Sequence, residues 1–191
     1  MIYKIYQTVS KVPPKGIVYT YPIFSKRIEK DGVVEAEPWL ADGYYFWESF
    51  VHNAEHWGKT HCNNNYDIYC GEYDAHDPKC FNLVDGPECI KFICSVYKIF
   101  VEVKKRKPTL LNQILYFLLK KSTFAFPYDY VRVPADGGMI NGIDLRFSDS
   151  SSTRYFLIRQ IQVCFWKSRS ELKNLVKYEK ENPAENMEWV V

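Results

Sequence analysis

The sequence predicts an α+β protein, on three observations. Its β-like runs fall into two groups, within residues 2–84 and 128–166, and two amphipathic helical stretches stand between the groups instead of alternating with every strand. Neither GxGxxG nor GxxxxGK[ST], the glycine-rich phosphate cradles that open helices in many parallel-sheet proteins, occurs in the chain. With 191 residues, 47% of them hydrophobic and 25% charged, the chain has the balance of a globular unit that buries a core. It shows no internal repeat and no low-complexity linker. One domain over residues 1–170 is therefore expected, with a helical insert at about 88–121 and a C-terminal helix and tail over 171–191.

Taken in order, residues 2–9 (IYKIYQTV) are rich in Tyr, Ile, Thr and Val, and residues 16–21 (GIVYTY) repeat that character after Pro13 and Pro14, so both predict strands. Residues 24–30 (FSKRIEK) predict a short helix that Gly32 ends. Residues 43–47 (GYYFW) predict a short strand, after which Glu48 and Ser49 open a helix reaching about residue 58. On that helix Val51, Ala54 and Trp57 gather on one side, with His52 and His56 opposite. Residues 66–73 (YDIYCGEY) alternate as a strand, turn at Asp77 and Pro78, and return over 81–84.

From residue 88 to 105, Ile90, Ile93, Tyr97 and Phe100 recur at helical spacing, and Pro108 stops that helix. Leu111, Ile114, Leu115 and Leu118 mark a second amphipathic helix. Residues 128–133 predict a strand, Asp136, Gly137 and Gly138 a turn, and 143–147 another extended piece. Residues 155–166 (YFLIRQIQVCFW) form the longest β-like run, and 171–180 predict a final helix.

A formal charge of +2 is too mild to imply a nucleic-acid partner by itself. The first sixteen residues lack the apolar run of a secretory signal, and no stretch approaches eighteen uninterrupted apolar residues. A cytoplasmic protein without a membrane partner is expected. The six cysteines form no CxxC pair, and outside an oxidising compartment they are expected as reduced thiols.

Three motifs carry chemistry worth weighing. His52, Glu55 and His56 spell HNAEH, the HxxEH order in which two histidines one helical turn apart bind zinc and the glutamate acts as base. No third ligand is marked among Glu72, Glu88 or Glu102, so a zinc hydrolase ranks third among the readings and two histidines on a polar face rank above it. Lys104, Lys105, Arg106 and Lys107, with Lys120 and Lys121, lie at the ends of the two inserted helices. Cations at helix C-termini complement the dipole, and a phosphate-binding patch is the functional alternative. His61 and Cys62 with Cys70 and Cys80 fit no structural zinc spacing.

The most specific segment is LADGYYFWESFVHNAEHW, residues 40–57. It resembles the stretch of ADP-ribosyltransferases, the poly-ADP-ribose polymerase-like branch included, in which a Gly-aromatic-Tyr-Phe strand precedes a helix carrying an alanine about ten residues on. Here these are Gly43, Tyr44, Tyr45, Phe46 and Ala54. The tryptophan after Phe46, the acid after that, and Ala-x-x-Trp on the helix look like a group of small bacterial proteins of this superfamily. GIVYTY, YDIYCGEYDAHDPKCFNLVD, YDYVRVP and IRQIQVCF follow the order such a protein would have, so the resemblance spans about residues 16–167.

The resemblance implies a split β-sandwich of two antiparallel sheets that binds NAD in the cleft between them, expels nicotinamide and passes ADP-ribose to an acceptor. It implies a histidine or arginine on the first strand, a tyrosine against nicotinamide, and a glutamate on the last strand that opposes developing positive charge, as carboxylates do in glycoside hydrolysis. Tyr45 fits the tyrosine. The first-strand position falls on or near Thr20, beside Tyr21, or alternatively on Gln7. Gln162, with Gln160 on the same face, stands where glutamate is expected.

A neutral amide there costs roughly 3 kcal/mol of transition-state stabilisation, on the order of 100-fold in rate. Asn53 and His56 lie where relatives contact nicotinamide, while Phe46 and Trp57 read as core. The expected function is thus an NAD-binding ADP-ribosyltransferase-like protein, with Tyr45 and Gln162 in the reaction and Thr20, Tyr21, Gly43, Asn53 and His56 around the ligand. The alternative is a non-enzymatic module on the same fold that recognises a protein or nucleic acid.

Overall fold

In the computed structural model, residues 1–12, 21–31, 33–121, 126–135, 144–145, 155–156, 160–167 and 169–179 are described. The N-terminal half contains β1 (Ile2–Ser10), β2 (Phe24–Ser25), β3 (Ile28–Lys30), β4 (Val33–Ala36), β5 (Gly43–Glu48), α1 (Val51–His61), β6 (Tyr66–Asp74) and β7 (Cys80–Asn82). It is followed by α2 (Pro87–Lys104), α3 (Leu111–Lys121), β8 (Tyr130–Pro134), β9 (Asp144–Leu145), β10 (Tyr155–Phe156), β11 (Ile161–Phe165), α4 (Ser170–Lys173) and β12 (Val176–Lys177). The α+β class stands. The strands form one eight-stranded sheet in the order β12, β6, β1, β5, β11, β8, β7, with β2 also on β5; β3 pairs with β4, and β9 with β10, apart from it. The resemblance implied two separate antiparallel sheets; here the main strands form one sheet, continuous through the β1–β5 pair.

All pairs within the large sheet are antiparallel except β7 with β8. A parallel pair needs a long crossover, and α2 and α3 supply it between residues 82 and 130. The inserted helices are thus part of the sheet's connectivity. They pack on each other through Val96, Ile114 and Leu118 and through Phe100 set edge-on to Phe117. Pro87 opens α2 where a missing N–H costs nothing. Among the described residues no helix is long and apolar enough to cross a membrane.

Alternation along β5 organises the core. Phe46 joins Ile5, Tyr73, Tyr130, Val163 and Phe165 on one face, with Leu172 of α4 closing that side. Tyr45 and Trp47 point the other way. There Tyr45 packs into a cluster with Leu40, Leu115, Val131 and Cys164 beneath α3, and Trp47 packs with Tyr6, Ala54 and Ile68 beneath α1. Two helical caps therefore share one face of the sheet, and β1, β5 and β11 run between them.

Two expectations change. Residues 24–30 are not helical: Phe24 and Ser25 pair with Tyr44 and Gly43, and Ile28–Lys30 starts a hairpin that turns at Asp31. A seven-residue helix leaves most of its backbone groups without partners, and a neighbouring strand supplies them. The final helix lasts only Ser170–Lys173 before β12 adds to the edge of β6. Burial of Leu172 fixes the turn, and the chain then pairs with the open edge of β6 through Val176 and Lys177. Strand character at 16–20 and the turn at 136–138 lie outside the described residues.

Two glycines are set by close approach. A Cβ on Gly43 would stand 2.6 Å from Cys164 Sγ and 2.6 Å from the Phe165 carbonyl oxygen, so β5 and β11 meet as they do only because that side chain is absent. One on Gly58 would enter the Tyr66 ring, which sets how closely α1 lies on β6.

Candidate functional site

β1 pairs with β6 along all nine of its residues but with β5 only at Ile5↔Glu48 and Tyr6↔Trp47. One residue further the strands part. Where a ladder bond would continue, the buried Gln7 side chain takes over: Nε2 donates to the carbonyls of Tyr45 at 3.2 Å and Ile23 at 3.0 Å, and Oε1 accepts from the Ile23 N–H at 2.7 Å. The amide satisfies backbone groups that the split would otherwise strand. Beyond it opens a cleft of about 380 Å³, within the range of small-molecule sites.

Three indoles from separate segments surround this opening: Trp39 before β5, Trp47 on β5 and Trp57 on α1. Trp39 is 38% and Trp57 42% exposed, large for rings that could pack in a core. Trp57 stacks on His61 at 3.6 Å and lies 6.3 Å from Trp47 at a 53° tilt. Trp39 Nε1 donates to Gln162 Oε1 at 2.6 Å, joining residues 123 positions apart. Among the described residues Glu37 is the one charged side chain lining the cleft, and it faces Arg27 at 3.4 Å.

Tyr45 contributes to this wall in a way the sequence does not reveal. Its hydroxyl donates to the Ala41 carbonyl at 2.7 Å and accepts from the N–H groups of Leu40 at 3.1 Å and Ala41 at 3.0 Å. Burial holds the phenol pKa far above its ordinary value, and the neighbouring Cys164 adds to the rise. The hydroxyl therefore stays protonated and clamps residues 40–41, which carry Trp39 to Gln162. The segment is also tied to α3, because Asn112 Nδ2 donates to the Pro38 carbonyl at 3.1 Å and the Tyr116 hydroxyl to Asp42 Oδ1 at 2.5 Å.

Of the residues proposed from sequence, Tyr45, Gln162 and the alternative first-strand residue Gln7 line this one cleft. Thr20 lies outside the described residues. Tyr21 stacks on Tyr69 at 4.2 Å, away from the lining. Gly43 serves the approach of β5 to β11. Asn53 is buried on the inner side of α1, its Nδ2 without a hydrogen-bond partner among the described residues, and His56 is half-buried; neither is among the cleft's lining residues. Trp57, expected in the core, is instead a cleft residue. No group of three His, Cys, Asp or Glu that could hold a metal ion occurs among the described residues, so the structure adds no third ligand to His52 and His56.

A buried charge network on the opposite face also escaped the sequence reading. Arg132 Nε and Nη2 donate to the two oxygens of Glu48, each at 2.8 Å, and Nη1 to Asp85 at 3.0 Å. The Tyr73 hydroxyl donates to Glu48 as well, and the guanidinium lies 5.3 Å from the centre of the Tyr3 ring. Glu48, expected with Ser49 to open the helix, is instead the end of β5, and α1 begins at Val51. Its partner sits 84 residues away, and no local pattern announces such a pairing.

No family model, curated protein or solved structure matches this chain.

Proposed function

We propose that the cleft between β1, β5 and β11 binds NAD and that the chain is an ADP-ribosyltransferase-like protein, transferring ADP-ribose or cleaving NAD where it is active. The observation that carries this reading is the meeting of Gln7, Tyr45 and Gln162, from three separate strands, on one cleft. Those are the strand positions that the sequence resemblance singles out, with Gln7 in place of Thr20 at the first.

The chemistry of the wall supports the same ligand. The nicotinamide ring of NAD is flat and positively charged, and indole faces attract such a cation by about 0.5–2 kcal/mol each. Glu37 adds the opposite charge. When the bond between nicotinamide and ribose breaks, its electron pair leaves with the ring, and positive charge passes to the ribose carbon until an acceptor nucleophile attacks and loses its proton. Groups that hold the cationic ring favour the bound state; groups that oppose charge on the ribose favour the reaction. Gln162 supplies only a carbonyl dipole, already engaged by Trp39, so among the described residues the carboxylate for the second task would be Glu37, which is ion-paired with Arg27.

The binding half is tested by titrating NAD and ADP-ribose while following tryptophan fluorescence and heat. Saturable binding weakened by Trp47→Ala is expected, and no response at millimolar ligand would remove the reading. The chemical half is tested by nicotinamide release, which Gln162→Glu should raise by on the order of 100-fold and Glu37→Gln should lower. A second reading, a non-enzymatic module on this fold, is favoured by the neutral Gln162 and by the full engagement of the Tyr45 hydroxyl. It predicts NAD binding, or partner binding, with no release even from Gln162→Glu.

A further inference from the structure

The basic residues at the ends of the inserted helices are not scattered. Lys104 and Arg106 from the end of α2 and Lys120 from α3 line one groove of about 400 Å³, and Arg27, from the segment between β2 and β3, joins them across it. On α3 the groove follows one face, residues 113, 116, 117 and 120, which share a side at i, i+3, i+4 and i+7. From Gln113 to Lys120 this face runs roughly 10 Å at 1.5 Å per residue.

Dipole complementation accounts for lysines in the last turn of a helix. It does not account for Arg106, beyond the end of α2, or Arg27, which belongs to no helix. Among the described lining residues four cations accompany one carboxylate, Glu37; Arg27 is ion-paired with Glu37 at 3.4 Å and with Glu29 at 3.5 Å, so the positive charge the groove offers comes chiefly from Arg106 and Lys120. Its walls hold those cations in place. Lys120 lies 4.8 Å from the centre of the Tyr116 ring and Arg106 5.9 Å from that of Phe100. Arg106 Nη1 also donates to Gln113, while Asp42 accepts from both the Arg27 N–H and the Tyr116 hydroxyl, tying the far wall to α3.

We propose that this groove is a polyphosphate site for a nucleotide-sized ligand carrying two or three linked phosphoryl groups. Cations converging from three segments on one cavity suit a compact polyanion; a long strand would require a strip of them, as in grooves that track single-stranded nucleic acid. Guanidinium forks pair with phosphoryl oxygens, and lysines add point charge. Among the described residues the groove shares only Glu37 with the indole cleft, and the inference holds whether or not that cleft takes NAD.

The test is calorimetric titration with inorganic tripolyphosphate at about 50 and about 200 mM salt, where phosphate contacts lose affinity steeply. The wild-type chain should bind, more weakly at the higher salt. Arg106→Gln with Lys120→Gln should lose at least ~10-fold in affinity, one charge-assisted contact or more. Lys98→Gln with Lys173→Gln, an equal charge change at exposed positions outside the groove, should bind as wild type. Because all four side chains are exposed, both variants should melt with the wild type. Trp47→Ala should leave tripolyphosphate binding unchanged, which separates this site from the NAD cleft. Absence of binding at low salt, an equal loss in both double variants, or an oligothymidine that binds the groove and is not displaced by tripolyphosphate would overturn the proposal.

Discussion

Replacing Tyr45 by Phe separates the two tasks that this residue performs. The ring remains, so its packing against Leu115 and Cys164 and its place in the cleft wall are kept. What goes is one hydroxyl making three hydrogen bonds, at 2.7, 3.0 and 3.1 Å. Leu40 and Ala41 are both 0% exposed, so water cannot replace the hydroxyl, and two N–H groups and a carbonyl lose a partner. At about 1 kcal/mol for each bond lost, with more for donors left dry, the cost is roughly 3–4 kcal/mol.

For a chain of this length 1 kcal/mol lowers the melting temperature by about 2–4 °C, so Tyr45→Phe should melt about 6–16 °C below wild type. Circular dichroism melts and urea titration read this directly. The same change frees the segment carrying Trp39, and, on the reading of the cleft proposed above, NAD should bind more weakly although no ring is lost. A stability loss under about 1 kcal/mol with unchanged ligand binding would refute the clamp, and with it the claim that the hydroxyl is structural.

Other outcomes follow from the same geometry. Arg132→Met leaves Glu48, 2% exposed, without its bidentate partner and should cost about 3–5 kcal/mol in urea unfolding; Asp85, whose side chain is 55% exposed, adds little to this figure. Gly43→Ala forces a methyl against Cys164 and the Phe165 backbone and should lower stability by about 1–3 kcal/mol; a neutral result would mean that β5 and β11 can separate freely. Burial pushes the thiols of Cys80 and Cys164 up to about 12, whereas Cys94 is exposed. Iodoacetamide at pH about 8 should therefore alkylate Cys94 well before Cys80 or Cys164, which react only on unfolding, as peptide mass spectrometry will show.

Burial raises the pKa of Asp67 and Asp85, but hydrogen bonds from Lys177 and Lys11 to the first, and from Arg132 and Asn82 to the second, more than offset it. Both folded values are thus below the unfolded ones. Their stabilisation is full above the unfolded carboxyl value of about 4 and is lost as pH falls through the folded values. Melting temperature should accordingly fall below pH about 4, less steeply in Asp67→Asn.

Much of the secondary structure was legible because it is written in local periods. The alternation of residues 66–73 and the helical spacing of Ile93, Phe100, Leu115 and Leu118 need no distant information. Residues 24–30 misled, because a short polar stretch with a mild helical pattern takes strand geometry when an edge is offered to it. The cleft was legible only in part. Tyr45 and Gln162 stood out through the resemblance of their segments, and Gln7 as an alternative. Trp57 was hidden by its helical spacing with Ala54, which places it on the packed side of a wheel but not under anything: the sheet beneath that end of α1 is where β1 and β5 separate.

The sequence by itself determined the α+β class, the helical insert and the opposite pointing of Tyr45 and Phe46, since each depends on neighbours a few residues away. Only the tertiary structure decided that β1 leaves β5 after two pairs, that the Gln7 amide fills the gap, and that Trp39 reaches Gln162 across 123 residues. It also decided that Arg27 joins Lys104, Arg106 and Lys120 around one groove. Such meetings rest on strand register and on the closure of long loops, whose free energies are set by the whole fold and leave no periodic mark on the residues that meet.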